Sequence, residues 1–286
     1  MGVQTIDRAV AILHWLGNSG EQGMRLVELQ RALGLKRPTV HRILSSLMEH
    51  GLVSNDSRTH LYRLGWEAAV LGWSSVPVGF DLRETAQGAM SRLAEETGAT
   101  VVLCACSRRE TVCIDRKAGS YPIKVFTVEV GTRRPLGVGA GSIAALAALP
   151  EEEAGAVIKG LMEPLQSYPE ALRRSIVPSV RLARKIGYSV SDGLVLPTVI
   201  GVGVALRDPR GVPIGTLGIA SFKDSASDKR ISDYAQLLLR EQAKIERAFR
   251  DKMMARAKTQ ALAPRPAGAR PAAMRPAAAR DTPVNR

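Results

Sequence analysis

Histidine is scarce in this sequence and confined to one end of it. Only four histidines occur among the 286 residues, and all four lie within the first 60. Catalytic Ser-His-acid and Cys-His arrangements, and most metal sites, need histidine, so nearly all of them are excluded from the rest of the chain. Enzymes that depend on histidine are therefore largely excluded. Our overall interpretation is a protein with no enzymatic activity, no catalytic residue, no metal ion and no other cofactor.

Cysteine and long apolar segments are also lacking. Three cysteines, an odd number, do not form a disulfide framework. No apolar run reaches the roughly 18–20 residues that span a bilayer, and no signal-peptide pattern opens the chain. These absences predict a cytoplasmic protein with no membrane partner.

The three cysteines lie close together in the sequence. Cys104 and Cys106 alternate along a predicted strand and share one face, and Cys113 follows on the next strand. Buried thiols in an apolar strand are one interpretation. A redox or metal sensor is the other, although no fourth metal ligand is in view.

The charge balance is strongly basic. Forty Lys and Arg against 27 Asp and Glu give a net charge of +13 and a pI near 10.1, which favours a polyanionic partner. The segment 255–286 alone carries seven Lys or Arg and one Asp, in a low-complexity sequence rich in Ala and Pro. Proline at this density predicts a disordered basic tail, either merely solvated or adding weak phosphate contacts.

Residues 1–64 read as three short helices and a hairpin, which is the order of a winged helix-turn-helix domain. The second helix ends at Gly34, the third has Pro38 in its first turn, and two strands flank a turn at 55–58. Apolar residues at helical spacing predict the buried face of each helix. These residues are Ile6, Val10, Leu13 and Leu16 in the first helix, Leu26, Leu29 and Leu33 in the second, and Val40, Ile43, Leu44 and Leu47 in the third.

The outer face of the third helix carries basic and hydroxyl side chains. Groups of this kind at a helix start can meet phosphates and base edges together, and a wing can reach the DNA backbone or minor groove. Arg37 or Arg42 could read guanine, whereas Lys36 and Thr39 suit phosphate; a merely solvated basic helix is the alternative. The predicted DNA-binding residues are Lys36, Arg37, Thr39, His41, Arg42 and Ser45 on the helix, with Arg58 and His60 on the hairpin.

Beyond residue 64 the pattern changes twice. Residues 65–80 predict a linker helix, in which Trp66 and Trp73 share a face that serves either a dimer or the neighbouring domain. Residues 81–254 mix helices with hairpin-connected strands and predict an α+β sensor domain with an antiparallel sheet. Helices are predicted from Leu82 to Gly98, near 169–186 and at 228–252, and strands at 100–106, 111–115, 123–128, 199–206 and 212–222.

Several motifs together resemble the IclR family of bacterial transcriptional regulators over about residues 3–250. They include LVELQRALGLKRPTVHRILSSLMEHGLV, RTHLYRLG, GTRRPLGVGAG and VALRDPRGVPIGTLGIAS. The resemblance implies a homodimer or a dimer of dimers that binds an inverted-repeat double-stranded DNA operator, as a repressor or an activator. It also implies a GAF-like C-terminal domain that binds a small organic effector, often a carboxylate.

The resemblance further implies an effector site around the Gly-rich loop 137–142, which opens a helix. The family His and Lys of this region are here Gly137 and Ile143, and three other positions carry Val, Gly and Ala where keto-acid-binding members have Cys, Ser and Ser. These replacements predict a roomier, more apolar pocket for a larger, partly apolar acid, such as an aromatic acid. The implied effector-binding residues are Gly139, Ala140, Gly141, Ser142, Asp192, Val202, Gly218 and Ala220, with Asp192 alternatively a turn or cap residue.

Other interpretations of the sequence are weaker. The loop lacks the third glycine of a dinucleotide motif, and Ser142 lacks both the flanking glycines of a nucleophile elbow and a downstream histidine. Two alternative functions are a non-specific basic DNA-binding protein and, as a second alternative, a small-molecule enzyme with an appended nucleic-acid module.

Overall fold

The N-terminal part of the chain folds as three helices followed by a two-stranded hairpin. The computed structural model describes residues 3–75, 82–107, 109–225 and 227–262. The elements of this part are α1 Gln4–Ser19, α2 Leu26–Leu33, α3 Arg37–Glu49, β1 Val53–Asp56 and β2 Leu61–Leu64, followed by α4 Trp66–Ser75. The predicted winged helix-turn-helix order is confirmed.

The buried faces of α2 and α3 follow the sequence periodicity, but that of α1 does not. Leu29 and the four predicted residues of α3 lie in the core. On α1, Ile12 and Leu16 are buried, whereas Ile6 and Val10 are 60% and 43% exposed, so the predicted face was wrong at these two positions. Helix α1 carries apolar residues on two faces, and packing against α2 and α3 selects one of them.

The hairpin turn lies two residues later than predicted. Strand β1 continues to Asp56, which pairs with Leu61. The Asp56 carboxylate accepts hydrogen bonds from the backbone N–H of Arg58 at 2.9 Å and from the hydroxyl of Thr59 at 2.7 Å. This local capping fixes the turn, and His60 takes a left-handed conformation with φ of 56°.

The C-terminal part contains a six-stranded sheet in which all neighbouring strands are antiparallel. The strand order is β5-β4-β3-β8-β7-β6. The strands are β3 Thr100–Ser107, β4 Glu110–Lys117, β5 Arg133–Pro135, β6 Ser189–Asp192, β7 Val199–Arg207 and β8 Pro213–Phe222; the helices are α5 Leu82–Thr97, α6 Ala140–Ala148, α7 Glu151–Gly160, α8 Glu170–Ile186 and α9 Asp228–Leu262. The predicted α+β class is confirmed.

Helices cover both faces of this sheet and create two cores. One core joins α5 and α9 to the side chains of β3, β7 and β8 on one face. The other joins α6 and α8 to the loop that precedes α6. The sheet is therefore buried on both sides, and the start of α6 lies against its second face.

Three sequence predictions differ from the structure here. The predicted strand at 123–128 is part of the connection between β4 and β5, because Val125 packs on the sheet against Val199 and Ala220 instead of joining it. Strands β5 and β6 and helix α7 were not predicted. Helix α9 extends to Leu262, past the predicted end of the sensor domain at residue 254. Residues 263–286 of the predicted tail lie outside the described residues, and so does the Trp73 side chain. None of the described helices is long and apolar enough to cross a membrane.

Candidate functional site

The first candidate site is the outer surface of α3. Lys36 precedes the helix in an extended conformation and Pro38 lies in its first turn, so the helix begins where the sequence predicts. Lys36, Arg37, His41 and Arg42 are exposed, because the buried stripe of α3 faces α1 and α2. Thr39 and Ser45 are half-buried at the edge of the same surface.

The charge of this surface is not neutralised within the domain. Among the described residues, no carboxylate lies within ion-pair distance of Lys36, Arg37, Arg42 or Arg58. The N-terminal end of a helix also carries a partial positive charge. Arg58 and His60 are exposed at the tip of the hairpin. These groups offer phosphate contacts from a helix and a wing of one small domain.

The second candidate site is a cavity between the sheet and the start of α6. Its volume is about 90 Å³, and the connection between β4 and β5 supplies part of its wall through Thr127, Val128 and Thr132. A second lobe of about 70 Å³ adjoins it next to Ser191, Val195 and Leu196. Seven of the eight predicted effector residues line the cavity, namely Gly139, Ala140, Gly141, Ser142, Val202, Gly218 and Ala220.

The start of α6 is held against the sheet by glycine. Gly139 precedes the helix with φ of 89°, a conformation that other residues rarely adopt. A β-carbon on Gly141 would lie 2.7 Å from the hydroxyl oxygen of Thr216 on β8, so only glycine allows this approach. The first N–H groups of a helix have no partner within it, and the residues that carry those of α6 are among the residues that line the cavity.

The sequence prediction missed Arg134, which lines both lobes of the cavity. Its guanidinium donates a hydrogen bond to the carbonyl of Thr127. Burial lowers the pKa of Arg134, and no carboxylate of the described residues pairs with it. Arginine nevertheless stays protonated in proteins, so the cavity holds a fixed positive charge beside a helix N-terminus. The sequence shows two adjacent arginines before the Gly-rich loop, but not which of them faces inward.

Two of the predicted effector residues occupy unexpected places. Val202 belongs to the core on the α5 and α9 face, because its neighbour Gly203 faces α6 and side chains alternate along a strand. The Val202 side chain therefore points away from the cavity, so Val202 belongs to the cavity lining through its backbone, and its role in binding stays a prediction. Asp192 pairs with Lys223 at 2.9 Å at the end of β6 and is not among the residues that line the cavity. Its role in binding stays a prediction.

The Ser142 hydroxyl is held by its surroundings. It lies 3.3 Å from the hydroxyl of Thr111 and 3.4 Å from the carbonyl oxygen of Pro135. The Ser142 hydroxyl is therefore buried and engaged, while the backbone N–H of the same residue lies at the start of α6.

A winged helix-turn-helix domain followed by an α+β domain with a cation-lined cavity defines a class of two-domain DNA-binding proteins. Two family models match the chain: the IclR helix-turn-helix domain over residues 5–57 and the bacterial transcriptional regulator IclR C-terminal domain over residues 75–247. The chain belongs to the IclR family of transcriptional regulators, which bind DNA and are not known as enzymes.

Individual relatives agree with the two family models. The chain is 24% identical to the HTH-type transcriptional regulator XynR of Escherichia coli, over 86% of this chain and 97% of that protein. It is 28% identical to the regulator KipR of Bacillus subtilis, over 80% and 90% of the two proteins. Both relatives are matched over most of their length.

Solved structures share the fold. An IclR regulator from Alicyclobacillus acidocaldarius superposes with a TM-score of 0.68 at 22% identity, covering 86% of this chain and 98% of that one. An IclR homologue from Microbacterium hydrocarbonoxydans, crystallised with 4-hydroxybenzoate, gives a TM-score of 0.64 at 17% identity, covering 88% and 99%.

Proposed function

We propose that this protein binds an inverted-repeat DNA operator through α3 and the hairpin, and that a small organic acid in the cavity of the C-terminal domain changes that binding. The observation that carries the ligand half of the proposal is Arg134, a half-buried cation with no described carboxylate partner beside the N-terminus of α6. An anionic group in this cavity would meet both a guanidinium and the unpaired N–H groups of a helix.

In the DNA half of the proposal, α3 enters the major groove and the hairpin contacts the adjacent backbone. Arg37 and Arg42 are the candidates for reading guanine, while Lys36 and Thr39 contact phosphate. The exposure of the basic side chains supports these roles. The hydroxyl of Ser45 and the ring of His41 would lie further along the same surface, with Arg58 and His60 at the wing.

The effector class follows from the charge and the small residues of the cavity. Arg134 and the start of α6 favour a carboxylate, whereas Gly218 and Ala220 offer space and no hydrogen-bonding side chain. We therefore infer a larger, partly apolar acid, with aromatic acids as the first class to test. The 4-hydroxybenzoate complex of the Microbacterium homologue supports this choice.

A homodimer is proposed from the exposed apolar surface of α1. Ile6 and Val10 are 60% and 43% exposed and lie about one turn apart on one side of the helix, and Val3, which directly precedes the helix, is 64% exposed. Trp66, at the start of α4, is exposed as well. A second copy of the chain would cover this surface. The resulting dimer would present one α3 helix to each half of an inverted repeat.

The contact between the two domains offers a route for the response. On β5, Arg134 lines the cavity, and its neighbour Arg133 pairs with Glu110 at 3.2 Å and lies 3.5 Å from His14 of α1. A ligand that moves β5 would therefore change a contact to the DNA-binding domain. The ligand must bind one arrangement of the two domains more tightly than the other to change DNA occupancy.

Fluorescence anisotropy tests the DNA half. DNA from upstream of the gene and scrambled DNA are compared at about 150 mM salt, with the full chain and a chain ending at Leu262. We expect a preference of about a thousandfold for the upstream DNA that survives truncation. Equal binding of both DNAs would contradict the proposal and favour the alternative of a non-specific basic DNA-binding protein, which the net charge of +13 supports.

Two variants distinguish DNA binding by the α3 surface from DNA binding by the overall positive charge. Arg42→Ala should weaken binding to the preferred DNA and reduce the salt dependence of binding, because one contact is lost. Arg174→Ala, on the exposed side of α8, removes the same charge outside the proposed surface and should leave the preference unchanged. Equal effects of the two variants would overturn the assignment of α3.

A further inference from the structure

Two cysteines face each other across neighbouring strands in the wall of the cavity. Cys104 on β3 and Cys113 on β4 are directly opposed in the antiparallel register, next to a bulge at Leu103 and Cys104. Cys104 is half-buried and lines the cavity, whereas Cys113 is buried behind it. Both thiols are free.

The backbone hydrogen bonds define the type of this pair. The N–H of Cys113 donates to the carbonyl of Thr132 at 2.9 Å, and the carbonyl of Cys113 accepts from the N–H of Gly131 at 2.8 Å. Both polar groups of Cys113 thus point away from β3, so Cys104 and Cys113 form a non-hydrogen-bonded pair. Such pairs bring their Cα atoms to about 4.5 Å, which lies within the roughly 4.4–6.8 Å range that a disulfide spans.

The surroundings make the two thiols chemically different. The hydrogen bond from the Cys104 thiol lowers the pKa of Cys113, and the charge of Arg116 lowers it further. The same hydrogen bond and burial raise the pKa of Cys104. Burial raises the pKa of Cys106 to about 12, so this third thiol stays protonated and unreactive.

We propose that Cys104 and Cys113 are an oxidation site in the cavity wall, where a small hydroperoxide converts them to a cross-strand disulfide. The Cys113 thiol loses its proton and its sulfur attacks the peroxide oxygen, which breaks the O–O bond and leaves a sulfenic acid on Cys113, while the departing hydroxide takes up that proton and leaves as water. The Cys104 sulfur then attacks the sulfenic sulfur, and the displaced hydroxyl group leaves with the Cys104 proton as a second water. With hydrogen peroxide, two thiols are oxidised, one peroxide is reduced and two waters are released.

The disulfide would change the cavity directly. Its formation draws the Cys104 sulfur out of the wall toward β4, and the backbone of Cys113 is bonded to Gly131 and Thr132 of the segment that lines the other wall. Oxidation would therefore alter the binding of an acid in the cavity, a consequence that rests on the proposed function. The oxidation itself does not depend on any ligand.

Peptide mapping of the intact full-length protein tests the site. The chain is treated with an equimolar amount of hydrogen peroxide, free thiols are blocked by alkylation, and the protein is digested with trypsin without reduction. Trypsin leaves Cys104 and Cys106 in the peptide 93–108 and Cys113 in the peptide 110–116. We expect these two peptides to be linked, with the loss of two of the three free thiols per chain.

Variants then assign the bond. Cys106→Ser should keep the linked peptides, whereas Cys104→Ser and Cys113→Ser should abolish them. Four outcomes would each overturn the proposal. They are a disulfide formed by Cys106, a disulfide between two chains, oxidation of a thiol to a sulfinic or sulfonic acid without a disulfide, and three unchanged thiols. The wild-type and Cys106→Ser results decide the question even if a Cys113 variant fails to fold.

A binding measurement separates this proposal from the proposed function. Titration of the reduced and oxidised proteins with benzoate should show at least a tenfold difference in Kd. If benzoate binds neither form while the Cys104–Cys113 bond is present, the effector proposal fails and the oxidation site stands. If benzoate binds equally to both forms, the oxidation has no effect on the cavity and that consequence is overturned.

Discussion

Gly203 on β7 lies directly against the backbone of Gly141 in the first turn of α6. A β-carbon on Gly203 would be 2.6 Å from the amide nitrogen of Gly141 and 2.9 Å from its Cα, both within the distance at which backbone must move. Two residues without side chains therefore allow the helix to begin directly on the sheet. This contact fixes the N-terminus of α6 at the edge of the cavity.

Gly203→Ala should destabilise the protein and displace the start of α6. The new methyl group has no flexible neighbour to push aside, so we expect a loss of about 1–3 kcal/mol in the free energy of unfolding. The melting temperature should fall by about 2–4 °C for each kcal/mol of stability that is lost. Gly201→Ala is the matched control, because its β-carbon would lie 3.5 Å from Ala140 in ordinary contact. Equal melting temperatures for the two variants would contradict the close contact.

Arg134→Gln should weaken the binding of an aromatic carboxylate such as benzoate. The substitution keeps a hydrogen-bond donor but removes the charge, and hydrogen bonds to charged groups contribute about 1.5–3 kcal/mol, so we expect a loss of roughly tenfold or more in affinity. Isothermal titration calorimetry of each protein with benzoate measures this affinity.

Arg133→Gln is the control for Arg134, since it removes the neighbouring charge on β5 that pairs with Glu110. It should lower the affinity for benzoate much less than Arg134→Gln does, because Arg133 lies outside the cavity and acts on the ligand only through its contacts with Glu110 and His14. An affinity that falls equally in both variants would show that general charge, and not the Arg134 guanidinium in the cavity, attracts the acid.

Glu241→Gln should destabilise the contact between α9 and α5. Glu241 is fully buried and pairs with Arg92 at 2.5 Å, Lys244 at 2.8 Å and Arg240 at 3.1 Å. The three cations are about half exposed, so we expect a cost of about 1–3 kcal/mol. Glu96→Gln, which removes a half-exposed partner of Arg240 alone, should cost less.

The same carboxylate predicts a pH dependence. Burial alone raises the pKa of Glu241, but the hydrogen bonds from Arg92 and Lys244 outweigh it and lower the pKa to about 2 from an ordinary value of 4.5. Its stabilising contribution is therefore complete above pH 4.5 and is lost as the pH falls toward 2. The difference in unfolding free energy between wild type and Glu241→Gln should shrink over that window. A constant difference would mean that Glu241 is not ionised in the fold.

Ile6→Lys combined with Val10→Lys should dissociate the proposed homodimer. Both positions are exposed on α1, so the charges are tolerated in a monomer but would be buried in the interface. Analytical ultracentrifugation should show a dissociation constant raised at least tenfold. Val27→Lys, an exposed apolar position on α2, is the control. A chain that stays dimeric with both α1 charges would place the interface elsewhere.

Elements with local signals could be predicted from the amino-acid sequence. The stripe of Val40, Ile43, Leu44 and Leu47 was correctly predicted as the buried face of α3, because the helix has only one apolar side. Likewise, Asp208 and Gly211 mark the turn between β7 and β8: Asp208 accepts N–H hydrogen bonds from its neighbours and Gly211 adopts φ of 85°.

The direction in which each of two chemically equivalent side chains points depends on packing between distant parts of the chain. Arg133 and Arg134 are adjacent and identical, yet one contacts α1 and the other lines the cavity. Val202 points into the core, while the glycines beside it receive α6. Periodicity fixes that neighbouring side chains on a strand alternate, but the helices that pack on each face decide which side becomes core and which becomes cavity.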